Sequence, residues 1–170
     1  MCAMTPRHPS ALPPAELLEA CRETRTKRSG PGGQHRNKTE TAVVLVHGPT
    51  GISAEGSERR SQAENRSVAL HRLRLRLALE HREPAAMEPS ESWRTRVRGR
   101  QLVISAEHED FPALLAEALD QLQAARFEIA TAANALGVTG TQLVRLFKKC
   151  PAAWVALNHH RAHAGLPALK

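Results

Sequence analysis

Aromatic side chains are scarce in this 170-residue chain, which has no tyrosine, three phenylalanines and two tryptophans. Stacking of bases on aromatic rings is therefore not expected to dominate any contact with nucleic acid. The three cysteines, at positions 2, 21 and 150, are too few and too irregularly spaced for a disulfide framework or a zinc site. Such usage favours a reduced, cytoplasmic protein. No apolar run approaches the ~18 residues of a membrane span, so no membrane partner is expected.

Positive charge, in contrast, is abundant and locally concentrated. The formal net charge is +7, and 41% of the residues are hydrophobic, which is typical of a globular protein. Six cations lie just before or within a glycine-rich stretch at residues 29–38: Arg22, Arg25, Lys27, Arg28, Arg36 and Lys38. A cluster of this kind is the electrostatic pattern expected for a partner rich in phosphate.

The glycine-rich stretch itself reads SGPGGQHRNK. Three glycines and a proline in four positions are incompatible with a helix or a central strand, so the stretch is predicted to be an exposed loop. Glycine also lets a backbone press closely against a partner, and a lone glutamine amide follows. An ordinary turn is the alternative, but a turn does not need a glutamine surrounded by cations.

Hydrophobic periodicity and turn signals predict a short helix, a hairpin and a long helix around this loop. Their ranges are 14–20 for the short helix, 41–46 and 52–55 for the strands, and 62–81 for the long helix. Ser61 and Glu64 form a capping-box pattern at the start of the long helix. Residues 21–28 fit either a strand or an extension of the short helix, and the sequence leaves both open.

The second half of the chain is predicted to be helical. Turn-favouring residues indicate a linker over 84–110, followed by helices over about 111–123, 128–136, 141–149 and 152–164. The second and third of these have helix-turn-helix spacing around Gly137, although a plain helical hairpin is the alternative. The exposed side of the third would carry Thr139, Gln142, Arg145, Lys148 and Lys149. His159, His160 and His163 lack a cysteine or carboxylate to complete a metal site, so no metal is expected.

Gly-Pro-Gly-Gly-Gln followed by Asn37-Lys38 resembles the signature loop of class I peptide chain release factors and their stalled-ribosome rescue relatives. The resemblance extends over roughly residues 16–80, because further segments of the family's catalytic domain follow in order. These segments are Thr41-Ala42-Val43, His47-x-Pro49-Thr50-Gly51-Ile52 and Arg60-Ser61-Gln62-x-x-Asn65-Arg66.

This resemblance implies a small GGQ-type α/β domain whose loop enters the ribosomal peptidyl transferase centre, with Gly32, Gly33 and Gln34 as the catalytic residues. A glutamine amide does not titrate near neutrality, so Gln34 would orient water rather than act as a base. Its backbone N–H would donate to charge developing on the tRNA oxygen. The residues expected to face RNA, where a solvated charged face is the alternative, are Arg25, Lys27, Arg28, His35, Arg36, Asn37, Lys38, Arg59, Arg60 and Arg66.

The sequence therefore predicts an α+β protein with a flexible arm (1–13), a GGQ catalytic domain (14–83), a linker (84–110) and a helical C-terminal domain with a helix-turn-helix-like pair (111–170). Because residues 84–170 show no anticodon-like tripeptide loop, codon-independent hydrolysis of peptidyl-tRNA for ribosome rescue is favoured. The alternatives are a non-hydrolytic RNA- or ribosome-binding protein that keeps the GGQ fold and a helix-turn-helix DNA-binding regulator. The expected partners are large-subunit rRNA, peptidyl-tRNA and a methyltransferase acting on Gln34, for a monomer without a cofactor.

Overall fold

The computed structural model describes residues 7–26 and 41–170, which belong to two compact units. One unit is Leu12–His81, and the other is Arg82–Lys170 together with the N-terminal residues up to Ala11. Both units contain helices and strands, so the predicted α+β class is confirmed. No helix in the described ranges combines the length and the apolar character that a membrane span requires.

The unit Leu12–His81 is a three-stranded antiparallel sheet covered by two helices. Its elements are helix α1 (Pro14–Glu19), strands β1 (Cys21–Thr26), β2 (Ala42–His47) and β3 (Ser53–Gly56), and helix α2 (Gln62–Glu80). The strand order is β1-β2-β3, so β2 is central. The predicted short helix, hairpin and long helix are all confirmed, and no end is shifted by more than one residue.

The core of this unit lies between the sheet and α2. Val43 and Leu45 of β2 are fully buried against Leu73 and Leu77 of α2, and Leu17 of α1 completes the cluster. Each fully buried leucine contributes about 1.5–3 kcal/mol by leaving water. The β-branched run in β2 suits a strand that is covered on its core face and paired on both edges.

Residues 21–26 form a strand, which decides between the two alternatives that the sequence left open for the start of 21–28. Helix α1 ends at Glu19, and the carbonyl of the next residue, Ala20, accepts a hydrogen bond from the backbone N–H of Gly48 at 2.9 Å. From there β1 pairs with β2 in antiparallel register, from Cys21 opposite His47 to Thr26 opposite Ala42. Pairing with a buried central strand is the long-range interaction that outweighs continuation of the helix.

The unit Arg82–Lys170 is mostly helical. Its elements are α3 (Glu91–Arg94), β4 (Val97–Arg98), β5 (Gln101–Leu102), α4 (Phe111–Ala124), α5 (Ile129–Ala135), α6 (Gly140–Lys148) and α7 (Pro151–His163). The four helices predicted beyond residue 110 correspond to α4–α7. Pro112 and Pro151 stand in the first turns of α4 and α7, where a missing N–H costs nothing.

Residues 84–110, for which the sequence predicts a linker, carry α3 and the antiparallel β4–β5 hairpin and belong to this unit. Trp93 is fully buried, and its indole Nε1–H donates to the carbonyl of Leu136 at 2.8 Å. Likewise, Pro9–Ala11 of the predicted arm forms a 3-10 helix whose Ser10 hydroxyl donates to the Pro112 carbonyl at 3.5 Å. The turn-favouring residues of these segments thus mark bends within a folded unit.

Candidate functional site

The segment that contains Gly32, Gly33 and Gln34 is attached at both ends to neighbouring positions of the sheet. Strand β1 ends at Thr26, strand β2 begins at Ala42, and these two residues are paired across the strands. The segment therefore leaves and re-enters the sheet at one end of the β1–β2 pair. The predicted site residues that lie outside the described residues are Lys27, Arg28, Gly32, Gly33, Gln34, His35, Arg36, Asn37 and Lys38.

Asn65 joins the base of this segment to the first turns of α2. Its side chain is fully buried, and Nδ2 donates to the carbonyl of Thr41 at 2.6 Å and to the carbonyl of Arg59 at 2.9 Å. Its Oδ1 accepts from the backbone N–H of Arg59 at 2.8 Å. Three hydrogen bonds from one amide therefore fix both the residue before β2 and the approach to α2. We call this arrangement the Asn65 clamp.

Gly56, at the end of β3, is required by the close approach of the sheet to the clamp. A Cβ built on Gly56 would lie 2.1 Å from the carbonyl oxygen of Asn65 and 2.9 Å from the backbone nitrogen of Ala69. Any side chain here would push β3 away from α2. The sequence patterns identified neither Gly56 nor Asn65 as a site residue. The available signal was an asparagine inside an otherwise strong helix, because asparagine is a poor helix former.

Arg25 and Arg66, both predicted to face RNA, converge on one carboxylate. Arg25 Nε lies 3.3 Å from Glu23 Oε1, and Arg66 Nε lies 2.7 Å from Glu23 Oε2. The hydrogen bond from Arg66 holds the pKa of the Glu23 carboxyl below its usual range. Partial burial acts in the opposite direction, and the hydrogen bond from Arg25 lowers the pKa further. The two guanidinium groups remain about half exposed. One carboxylate between two arginines leaves a net positive charge beside the end of β1.

Arg59 and Arg60 lie in the exposed bend that precedes α2. The bend is held by the Ser61 hydroxyl, which accepts from the backbone N–H of Glu64 at 3.4 Å and so caps α2 as predicted. The clamp fixes the backbone of Arg59 on both its N–H and its carbonyl. The structure therefore anchors this cationic bend to the same asparagine that holds Thr41.

Two arginines of α2 cover the open edge of the sheet. Arg72 Nη1 donates to the carbonyl of Glu55 at 2.8 Å, and Arg76 Nη1 donates to the carbonyl of Ser53 at 2.5 Å. These carbonyls belong to β3, one of the two edge strands of this sheet, whose open hydrogen-bonding groups would otherwise attract another strand. Arg72 also pairs with Glu58 at 2.6 Å. A backbone hydrogen bond from Ser57, assisted by Arg72, lowers the pKa of Glu58 to about 2.

The turn between β2 and β3 is held by His47. Its Nδ1 lies 2.8 Å from the hydroxyl oxygen of Thr50, and its backbone N–H donates to the carbonyl of Ile52 at 2.8 Å. Gly51 has φ +70°, a left-handed conformation that glycine adopts without strain. Burial lowers the pKa of His47, and the nearby charge of His81 lowers it further. This turn lies at the opposite end of β2 from Ala42.

In the unit Arg82–Lys170, α5 and α6 form the predicted pair of helices joined by a short turn. Gly137 has φ +68° in this turn, and the Thr139 hydroxyl caps α6 by accepting from the backbone N–H of Gln142 at 3.3 Å. Ala133 and Leu143 are buried at the packing face. The predicted surface residues are brought together on α6 and its ends: Thr139, Gln142, Arg145, Lys148 and Lys149.

Comparison with known proteins finds a family match that covers most of the unit Leu12–His81. Residues 18–109 match the RF-1 domain, which is more than half of the chain. The chain belongs to the RF-1 domain family. The predicted class I release-factor-like membership is thereby confirmed, and the RF-1 domain match includes β1, β2, β3, α2 and the segment between β1 and β2.

The relatives are proteins named as peptide chain release factors. The mitochondrial peptide chain release factor 1-like protein of Mus musculus is 54% identical over 59 residues, which are 34% of this chain and 16% of that protein. Peptide chain release factor 1 of Verminephrobacter eiseniae is 49% identical over 84 residues, 49% of this chain and 22% of that protein. Peptide chain release factor 2 of Lactiplantibacillus plantarum is 42% identical over 78 residues, which are 46% of this chain and 19% of that protein. The chain thus spans about a fifth of these relatives' length.

Proposed function

We propose that this chain hydrolyses the ester bond of peptidyl-tRNA on the ribosome and so releases the nascent peptide. The observation that carries the proposal is the RF-1 domain match over residues 18–109, which contains Gly32, Gly33 and Gln34 in sequence. Relatives named as peptide chain release factors support the same activity. The partners would be large-subunit rRNA and peptidyl-tRNA.

The frame around the catalytic segment suits such a reaction. Pairing of Thr26 with Ala42 and the bond from Asn65 to Thr41 hold the two ends of the segment at fixed positions. A rigid base reduces the freedom that is lost when the segment enters a narrow site. Gln34 would then hold the attacking water in line with the ester carbonyl. Its backbone N–H would stabilise charge on the leaving tRNA oxygen, and one preorganised donor of this kind is worth roughly 10²–10³ in rate.

The finer part of the proposal is that release does not depend on a stop codon. It rests on the content of residues 84–170, in which no anticodon-like tripeptide loop is recognisable in the sequence. A rescue role on stalled ribosomes, action as a cytoplasmic monomer and methylation of Gln34 by a methyltransferase belong to the same proposal. Clearing a stalled ribosome requires hydrolysis whatever codon, or no codon, stands in the decoding site.

A peptide-release assay with peptidyl-tRNA tests this proposal. The purified chain is added to ribosomes that carry a sense codon, a stop codon or no codon in the decoding site, and to isolated large subunits. We expect similar release with all three kinds of ribosome. Release restricted to the stop codon would overturn codon independence while leaving hydrolysis intact.

Gly33→Ala is the decisive variant for hydrolysis itself, with Ser67→Ala as its control. Ser67→Ala changes one exposed side chain on α2, in the same unit. We expect Gly33→Ala to abolish release and Ser67→Ala to retain it. Unchanged release in Gly33→Ala, or none in the unaltered chain, would favour a ribosome-binding protein without hydrolytic activity.

A further inference from the structure

The outer face of α6 is polar and lies beside a groove. The apolar side of α6, with Leu143, Leu146 and Phe147, is buried in the unit Arg82–Lys170. At about 100° per residue, positions 142, 145 and 149 fall within roughly 60° of one another, on the side of α6 away from Leu143 and Phe147. Together with Leu102, Ile104 and Leu146, these three residues line a cavity of about 220 Å³. We call this the α6 groove.

The β4–β5 hairpin is fastened next to the start of α6. The backbone N–H of Thr139 donates to the carbonyl of Arg100 at 3.1 Å. The Arg100 guanidinium donates in turn to the carbonyl of Val138 at 3.0 Å and to Oδ1 of Asn134 at 2.9 Å. Gly99, with φ +61°, makes the tight turn of the hairpin and leaves Arg98 exposed beside it. These hydrogen bonds hold the β4–β5 hairpin against the N-terminal end of α6.

The cations of this face are largely available to an outside partner. Arg98 and Arg145 are exposed, and neither makes an ion pair within residues 7–26 and 41–170. Lys149 donates to the carbonyl of Ile104, which fixes its ammonium group at the rim of the groove without neutralising it. Glu107 is the carboxylate that interacts with Lys149 through charge. The face accordingly retains a positive balance.

Lys148 extends the same charge along α6. Its Nζ donates to the main-chain oxygen of Lys170 at 2.9 Å and lies 5.1 Å from the ring centroid of Trp154. The ammonium group is therefore held in place by these two contacts. Fixed cations lose less side-chain entropy on binding a phosphate than freely rotating ones do.

We propose that the α6 groove and the adjoining β4–β5 hairpin bind a double-helical segment of RNA through its phosphates. The choice of RNA rests on the proposed function, which brings the chain to the ribosome. The positive balance of this face suits a polyanion such as RNA. Double-helical RNA is recognised mainly by shape and by backbone contacts, for which a short cationic helix beside a hairpin is suitable.

The salt dependence of binding gives the size of the expected effects. Each phosphate contact contributes about −0.9 to the slope of log K against log salt concentration, so one contact is worth about eightfold in affinity at about 0.1 M salt. Removing one cation should therefore weaken binding about eightfold and reduce the slope by about one.

The test measures binding of the full chain to a labelled RNA hairpin of about 16 base pairs, the length that a compact RNA-binding domain spans. The DNA hairpin of the same sequence is measured in parallel, at several salt concentrations. Arg145→Gln and Arg98→Gln are the test variants. Arg126→Gln is the matched control, because Arg126 is also exposed but lies between α4 and α5, outside the lining of the α6 groove and outside the β4–β5 hairpin.

We expect each test variant to bind RNA about eightfold more weakly at about 0.1 M salt, and the control to bind as the unaltered chain does. Equal losses in all three variants, or DNA bound as tightly as RNA, would overturn the proposal. Arg98→Gln provides a second test if Arg145→Gln disturbs folding. Gly33→Ala separates this inference from the proposed function, because it should lose peptide release and keep full affinity for the RNA hairpin.

Discussion

Substitution of Asn65 is the most direct test of how the base of the segment between β1 and β2 is held. Asn65→Ala removes the three hydrogen bonds of the clamp and leaves the carbonyls of Thr41 and Arg59 and the N–H of Arg59 without this partner. Each lost bond costs about 1 kcal/mol net, and more where the remaining group stays buried, so we expect the free energy of unfolding to fall by about 3 kcal/mol. That is a large fraction of the total stability of a small unit.

Asn65→Asp sharpens the test because it preserves the shape of the side chain. The carboxylate still accepts from Arg59 N–H but faces the Thr41 carbonyl, to which Asn65 donates, with negative charge. We expect destabilisation at neutral pH that eases as the pH falls and the carboxyl becomes protonated, since a protonated acid can donate one hydrogen bond. Asn65→Ala should show no such recovery.

Amide hydrogen exchange is the appropriate assay, because the unit Leu12–His81 contains no tryptophan, tyrosine or phenylalanine to report on it optically. We expect faster exchange in β2 and in the first turns of α2, with Ser67→Ala, an exposed polar substitution on the same helix, as the control. A loss below about 0.5 kcal/mol for Asn65→Ala, the range of an ordinary surface change, would refute the clamp.

Two further predictions concern the two units separately. Trp93→Phe removes the donor to the Leu136 carbonyl and should lower the free energy of unfolding by about 1–3 kcal/mol, measured by circular dichroism, whereas Trp154→Phe, at a partly exposed position, should cost less. Because the pKa of His47 is lowered in the folded protein, the folded state binds its proton less readily than the unfolded chain, whose histidine pKa is about 6.5. Stability is then fully present above about pH 6.5 and is lost as the pH falls towards the lowered value. His47→Gln should make stability depend less on pH. The measurement is the urea concentration at the midpoint of unfolding, followed by hydrogen exchange at several pH values, and the same change of this midpoint with pH in His47→Gln as in the unaltered chain would contradict the prediction.

Much of the architecture was predictable from local sequence. The β-branched run at 41–46, the turn at His47–Gly51 and the Ser61 cap each act between close neighbours, and all three are observed. The α5–α6 pair was likewise predictable, because Gly137 and the apolar spacing around it are contained in one short stretch. The GGQ motif and the segments that follow it also identified the family before any contact was known.

The tertiary structure decided the contacts between residues that are far apart in the sequence. Thr41 and Asn65 are 24 residues apart, and nothing in either neighbourhood shows that they meet. The same holds for Gly56, whose lack of a side chain matters only because α2 passes directly over it. Residues 84–110 resemble a linker locally and become part of a folded unit through the contact of Trp93 with Leu136, 43 positions away. The sequence by itself thus determined the elements and the family, because these depend on near neighbours. Only the folded chain determined which side chain holds the residue before β2, and which residues of α6 line a groove with the β4–β5 hairpin.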